Sequence, residues 1–537
     1  MRRVLALLFA LFALFAASPA AAATLYVGKS EAGAKSYVTI AEALKDLQPG
    51  DELVIGAGTY RESIMLPTRD WGKASTLIRG ELADKVLIKG SDLVADWQPA
   101  GEGVFVKRGW RANTQQVFVD GEPLKQIGGS IMGGYPEKSD HPLKKLHATQ
   151  GGIWPGRIAG GKSDLVQDSF FYDAAQETLY IKVRHATLDG HQVEASVRPY
   201  LIFGKGLRNV TIRDLQLRHS NTTSLNQAGA VTLLGDDLVV ERLSVTQTDG
   251  NGFDLTGDRI TVNASTANYC GQVGLKVRGR GNRIADSTTS YNNTRGFNKW
   301  WEAGGAKFVG EGGLRDSEVV NHRAIGNNGD GLWFDWMNDN NKVLRSVIAY
   351  NAGFGIQYEA SSRARIEDNI VFANVQRGIY LPNSPGSVVA HNLVVNNGME
   401  GIVVLNERAP SRPELDARSA RVVGNVLAWN RRAAVILPAE DPDSVSDYNV
   451  FLHEGEPPMF SQGWATRGTP VRRGLQEWTE ASRQDAHSRD ARATLSPELR
   501  QAMDAKQIPK DWSALLTDAD RLGVRLEGAA AGPKRER

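Results

Sequence analysis

The chain has a single cysteine, Cys270, in 537 residues, which excludes a disulfide framework and leaves any exported form to be held by a packed core. Cys270 stands at a turn position of a repeat, where a thiol is expected to serve as a small buried apolar group rather than a nucleophile. Net charge is nearly absent: 63 Lys and Arg against 61 Asp and Glu leave +2, with both signs interspersed. That excludes a basic nucleic-acid footprint, so no nucleic-acid partner is expected. Long apolar runs are missing except at the start, where two arginines precede Val4 to Ala17 and the run closes on Ala21-Ala22-Ala23. This stretch is too short to span a bilayer and reads as a signal peptide over residues 1–23, so an exported, periplasmic or extracellular protein without membrane insertion is expected. Phosphate-cradling glycine loops and a G-x-S-x-G elbow are missing too. His322, His391 and His487 lack metal-ligand spacing and read as structural. No metal or other cofactor is expected, although the oxygen-rich Asn338-Asp-Asn-Asn341 leaves calcium open.

Glycine, in contrast, is abundant and regularly placed. Short segments begin at Gly229, Gly252, Gly274, Gly305, Gly331, Gly355, Gly378 and Gly401, with steps of 23, 22, 31, 26, 24, 23 and 23 residues. Self-similarity at such a period marks a solenoid. In each segment the first and third residues after glycine are mostly apolar (Leu332 and Phe334, Ile356 and Tyr358), whereas the second and fourth are mixed or polar. This alternation assigns one set to the inside of a coil and the other to its outer face. Four residues before successive glycines stand Asn327, Asn351, Asn374 and Asn397, spaced for an amide ladder along the axis. A second strand per rung is expected at 343–350, 364–372 and 388–395. The fold class is therefore all-β, a right-handed parallel β-helix.

The N-terminal part supplies a start and a cap. Thr39-Ile-Ala-Glu42 has capping-box spacing and predicts a short helix through Leu47 that covers the open end of the stack. The expected organisation is a cap with first rungs over 24–96, a β-rich insertion of hairpins over 97–197, and a coil with a groove over 198–450. An irregular or helical segment follows over 451–527, then a disordered tail over 528–537.

The register carries the chemistry. Asp335 and Glu359 take the same outward position on adjacent rungs, and adjacent strands lie about 4.8 Å apart. Two carboxyl groups about 5 Å apart is the separation of a retaining glycosidase pair, one a nucleophile and one a proton donor. Stacked like charges are destabilising unless they serve a function. Trp333, Trp336 and Tyr380 surround the pair as surfaces on which sugar rings stack. The same outer columns hold Asp254, Lys276, Arg278, Lys307 and Gln357, whose cations read either as a salt-bridged row or as recognition of an anionic sugar. The insertion 293–302 brings Trp300 and Trp301 as candidate subsite walls and Glu302 as a third carboxylate.

At these residues the chain resembles a family. Tyr37-Val-Thr-Ile40, Pro49-Gly-Asp51, Gly58-Thr-Tyr-Arg-Glu62, Val117-Phe-Val-Asp-Gly121 and the rungs to Asn430 resemble the pectate-lyase-like β-helical carbohydrate-active enzymes. Gly331-Leu-Trp-Phe-Asp-Trp336 with Tyr358-Glu359 is similar to β-helical glycoside hydrolases that include a β-xylosidase family. That resemblance implies an Asp nucleophile at Asp335 and a Glu acid/base at Glu359. After Glu359, Ala-Ser-Ser-Arg363 differs from the His-Gly of the xylosidases, and the Asp-Pro-His-Asp signature of mannuronan epimerases is absent. The expectation is a monomeric glycoside hydrolase acting on a polysaccharide or oligosaccharide. A uronate lyase or epimerase using Lys276, Lys307 or Arg278, and a non-catalytic glycan-binding protein, are the rivals.

Overall fold

The structure is a computed structural model and describes residues 22–28, 35–129, 160–222, 228–310, 312–407, 413–438, 441–464, 468–494 and 496–509. Of the expected signal peptide over 1–23, residues 1–21 lie outside these residues, as does the expected tail over 528–537. The chain winds as a parallel β-helix, and the rungs pair in register from one turn to the next. One sheet stacks Asp330–Asp335, Ile356–Glu359, Ile379–Pro382, Ile402–Leu405 and Val435–Leu437. Period-two alternation determines what faces inward: Leu332, Phe334, Ile356, Tyr358, Ile379 and Leu381 are fully buried in one continuous core. Phe308, Phe334 and Tyr358 stack along the axis with centroids 4.4 and 5.0 Å apart, the offset contact that aromatic pairs favour.

The expected second strand is in fact two strands per rung. Lys342–Leu344 is followed by Val347–Ala349, Arg365–Glu367 by Ile370–Phe372, and Val388–Ala390 by Leu393–Val395. The break falls at Arg345, Asp368 and His391, all left-handed. Left-handed backbone in a residue with a Cβ needs compensation. The next residue provides it: Ser346 donates to the Leu344 carbonyl, while the side chains of Asn369 and Asn392 donate to Val343 and Ile366 carbonyls on the preceding rung.

The asparagine ladder forms as its spacing predicts and is longer. Asn292, Asn327, Asn351, Asn374, Asn397 and Asn430 each pass an Nδ2–H to the Oδ1 of the next at 2.8–3.0 Å. A parallel ladder runs Asn369, Asn392, Asn425, Asn449 at 2.9–3.1 Å. Each buried amide also binds backbone, so these turns are satisfied without water.

The cap is a helix over Ile40–Asp46, closed by the reciprocal Thr39 and Glu42 hydrogen bonds, with Ile40, Ala43 and Leu44 buried. The insertion is two small, mainly antiparallel sheets around Phe105, Val117, Phe170, Leu179 and Ile181. The expected hairpins are present as Val117–Val119 with Glu122–Pro123 and Ser169–Asp173 with Thr178–Lys182. It is pinned to the coil by Glu194, which accepts from Ser91, Arg61 and Lys89 at 2.6–3.0 Å, and by Phe118 stacked on His219 at 3.6 Å. Arg295 links Asp249 of the coil to Gln126 and the Gln115 carbonyl of the insertion.

The coil runs beyond residue 450, where irregular structure was expected: Val450–His453, Met459–Gln462 and Arg489–Arg492 still pair with it. The helix Leu475–Ser482 then closes this end by burying Trp478 against Phe460 at 5.3 Å. Cys270 is wholly buried in the core, and burial pushes its thiol up to about 12.

Candidate functional site

The outer face of the sheet carries two columns of side chains, and parallel register decides who stands beside whom. One column runs Asp254, Lys276, Lys307, Trp333, Gln357, Tyr380. The other runs Thr256 and Arg278, then Asp335 and Glu359. Asp335 and Glu359 are direct register partners, so their strands lie about 4.8 Å apart. Both are part-exposed, so both can be reached from the outer face.

Lys307 is the hub. Its Nζ lies 3.0 Å from Asp335 Oδ2 and 3.4 Å from the centroid of the Trp333 ring, and it donates to the Trp301 carbonyl. With only 4% of its side chain exposed, this ammonium is desolvated and gains from both the carboxylate and the indole face. The carboxylate of Glu359 is oriented from the other column: Trp333 Nε1–H and Gln357 Nε2–H both donate to Oε2, at 3.2 and 2.8 Å. Trp333 therefore links the two acids, its ring face on the cation beside Asp335 and its ring edge on Glu359.

The remaining columnar charges are internally paired. Lys276 is 1% exposed and held by both oxygens of Glu302 at 3.1 Å. Arg278 donates to Asp254 at 2.5 Å and to Thr256 at 3.1 Å. Lys276 and Lys307 are register neighbours, and two buried ammonium groups on adjacent strands repel unless each has its own anion. Glu302 and Asp335 are those anions. The salt-bridged reading of the row thus describes Lys276 and Arg278, and Glu302 is a partner of Lys276 rather than a third reactive carboxylate. Of the two expected walls, Trp300 is 53% exposed, with its edge on Phe354 at 5.8 Å, whereas Trp301 is buried and contributes its carbonyl to Lys307. Trp336 is 41% exposed and stands directly after Asp335 in left-handed backbone. Tyr380 is buried and donates to Glu407 at 2.7 Å, an acceptor shared with Trp464 at 3.1 Å.

A third column, missed in the sequence, precedes the repeat glycines: Asn251, Asp330, Phe354, Arg377 and Glu400. Asp330 is its consequential member. Its Oδ1 accepts the Phe354 N–H at 2.8 Å, and a Cβ at Gly353 would collide with the same oxygen. Burial pushes its carboxyl up to about 7, with the Phe354 hydrogen bond and the charge of Lys307 opposing the rise and Glu359 adding to it. A proton-holding acid therefore lies within electrostatic reach of both Lys307 and Glu359. A signal was available: five of the eight residues that precede the repeat glycines are polar or aromatic, the others being Ala228, Val273 and Gly304.

The remaining candidates lie outside the two columns. Asn338 and Asn341 are buried and donate to the Phe308 and Leu314 carbonyls, and Asp339 pairs with Arg363. His322 is buried, bonded to Thr289 and pushed down to about 3 by desolvation. His487 pairs with Asp447 at 2.7 Å and His391 is exposed. Among the described residues no helix is long and apolar enough to cross a membrane.

Comparison with known proteins places this architecture. Residues 302–416, which contain the whole acid pair and Lys307, match the family model "Right handed beta helix region". No curated protein matches the chain. A solved complex of XylC with xylose is similar at 14% identity and a TM-score of 0.53, over 80% of this chain and 83% of that one. A structure described as a glycoside hydrolase has 11% identity and a TM-score of 0.43, over 82% and 94%. The A-module of the Azotobacter vinelandii mannuronan C-5 epimerase AlgE4 has 14% and 0.43, over 75% and 85%. The chain is a right-handed parallel β-helix, with the fold of carbohydrate-active enzymes of that kind.

Proposed function

We propose that the protein is an exported glycoside hydrolase that cleaves a polysaccharide or oligosaccharide with retention of anomeric configuration. The observation that carries the reading is the register pairing of Asp335 with Glu359. Two carboxyl groups on neighbouring rungs have the separation of a double-displacement pair, about 5 Å. Asp335 is the nucleophile: Lys307 at 3.0 Å offsets the charge it must carry to attack the anomeric carbon. Glu359, held by Trp333 and Gln357, protonates the leaving oxygen and then takes a proton from the water that resolves the glycosyl-enzyme. Trp300 and Trp336 offer exposed faces for sugar stacking.

The pairing of Lys276 with Glu302 and of Arg278 with Asp254 favours a neutral sugar over a uronate. A lysine locked on a carboxylate is a poor base for abstracting the proton beside a uronate carboxyl. The test is a screen of plant and bacterial polysaccharides with products analysed by mass, anomeric configuration and ultraviolet absorbance. Hydrolysis with retention is expected, and Asp335→Ala and Glu359→Ala each abolish it while keeping the folded spectrum. An unsaturated, ultraviolet-absorbing product, or full activity in either folded variant, overturns the proposal.

A further inference from the structure

On the insertion, away from the acid pair in sequence, three ligand-type side chains converge. Asp120 lies in the turn between Val117–Val119 and Glu122–Pro123, in left-handed backbone with φ of 51°. His185 and His191 lie on the link between Thr178–Lys182 and Val193–Ser196. Turn and link are already tied: the Asp120 N–H donates to the Gln192 carbonyl at 2.9 Å, and the Gln192 N–H returns to Asp120 Oδ1 at 2.9 Å. The other carboxylate oxygen accepts His191 Nδ1–H at 2.6 Å, and the His185 ring lies 3.9 Å from that of His191. One donor atom from each residue lies within 4.8 Å of the others.

We propose that Asp120, His185 and His191 bind one divalent cation of the zinc class, which clips the hairpin turn to the link and stabilises the insertion. Two imidazoles and one carboxylate are the donor set that Zn²⁺, Co²⁺ and Ni²⁺ take, whereas calcium and magnesium require more oxygen ligands. Two imidazole rings in contact are a poor arrangement for two protonated histidines, whereas a cation between their nitrogens converts the contact into an attraction. The existing Asp120 and Gln192 hydrogen bonds pre-orient the carboxylate, so little has to be ordered on binding. The side chains of Asp120 and His191 are 48% and 29% exposed, which lets an ion enter and leaves water to complete its coordination. The inference is independent of the hydrolase reading.

The test uses the untagged full-length mature chain, stripped with chelator and titrated calorimetrically with Zn²⁺, with Co²⁺ absorption as a second readout. One ion per chain is expected, together with a higher melting temperature in Zn²⁺. His185→Ala and His191→Ala are expected to weaken binding by about tenfold or more and to remove the thermal shift. His487→Ala, at the separate Asp447 pair, leaves both unchanged. His185 is joined to the cluster through ring contact, so its variant provides a folded reading if His191→Ala fails to fold. Binding in the His185→Ala variant within tenfold of the parent, or no binding by the parent at millimolar Zn²⁺, overturns the proposal.

Discussion

Asp330→Asn is the substitution that most directly probes the buried carboxyl near Lys307 and Glu359. Asparagine keeps the Oδ1 that accepts the Phe354 N–H but cannot ionise. In the folded protein the Asp330 carboxyl is pushed up to about 7 from 3.8, chiefly by burial. The folded state therefore holds a proton between about pH 4 and 7 that the unfolded chain has released. Because the native state binds more protons in that window, Asp330 contributes stability below about pH 4 that is lost as pH rises through 7. Three pH units at 1.36 kcal/mol each give a ceiling of about 4 kcal/mol. At an unfolding entropy of about 2.1 cal/mol/K per residue, a chain of 537 residues loses about 1 °C per kcal/mol. The melting temperature of the parent relative to Asp330→Asn should thus fall by up to about 4 °C between pH 4 and 8, measured by circular dichroism in matched ionic strength. A difference that stays constant across that range would refute the buried, protonated Asp330 and the environment assigned to it.

Other substitutions address the remaining structure. Lys307→Met keeps the stem but leaves Asp335 without its cation, and hydrolysis of any substrate found in the screen should fall at least about a hundredfold. Asn374→Ala removes the acceptor of Asn351 and the donor to Asn397 and Ile348; at about 1–3 kcal/mol per unsatisfied buried group, a urea midpoint clearly below the parent is expected. Cys270, buried with its thiol pushed up to about 12, should stay unreactive to a thiol-exchange reagent at pH 8 until denaturant is added.

The repeat was legible because a solenoid writes its geometry into the sequence: inward positions must be apolar on every rung, and turn asparagines must recur to satisfy backbone left open at the bends. The 24-residue step from Gly331 to Gly355 was enough to place Asp335 beside Glu359. The contacts of Lys276 with Glu302 and of Lys307 with the Trp301 carbonyl were not legible, since both partners come from an insertion whose path has no register. The splitting of the second strand at Arg345, Asp368 and His391 was hidden because no glycine marks those left-handed positions. Asp330 was overlooked for a different reason: alignments begun at glycine ignore the residue before it, although that residue faces the same groups as the columns that follow.

The acid pair stands apart from the salt-bridged charges of the same outer face. A parallel sheet offers each outer side chain a neighbour about 4.8 Å away on either side, so a structural ion pair closes when one residue of each sign is present. Arg278 closes diagonally on Asp254 of the preceding rung, and Lys276 closes on Glu302 from the insertion. Asp335 and Glu359 break the pattern: two acids share the register position, Lys307 stands beside the first, and Trp333 and Gln357 donate N–H groups to the second. That arrangement suits the double displacement proposed above, in which Asp335 attacks and Glu359 gives and then takes a proton. It originates in the Trp333 side chain, whose face lies on Lys307 while its N–H reaches Glu359, so Trp333→Phe, which keeps the ring face and loses the donor, should impair proton donation to the leaving group more than attack by Asp335. Comparing aryl glycosides with good and poor leaving groups separates the two: the poor leaving group should suffer the larger loss, and equal losses for both would remove Trp333 from this role.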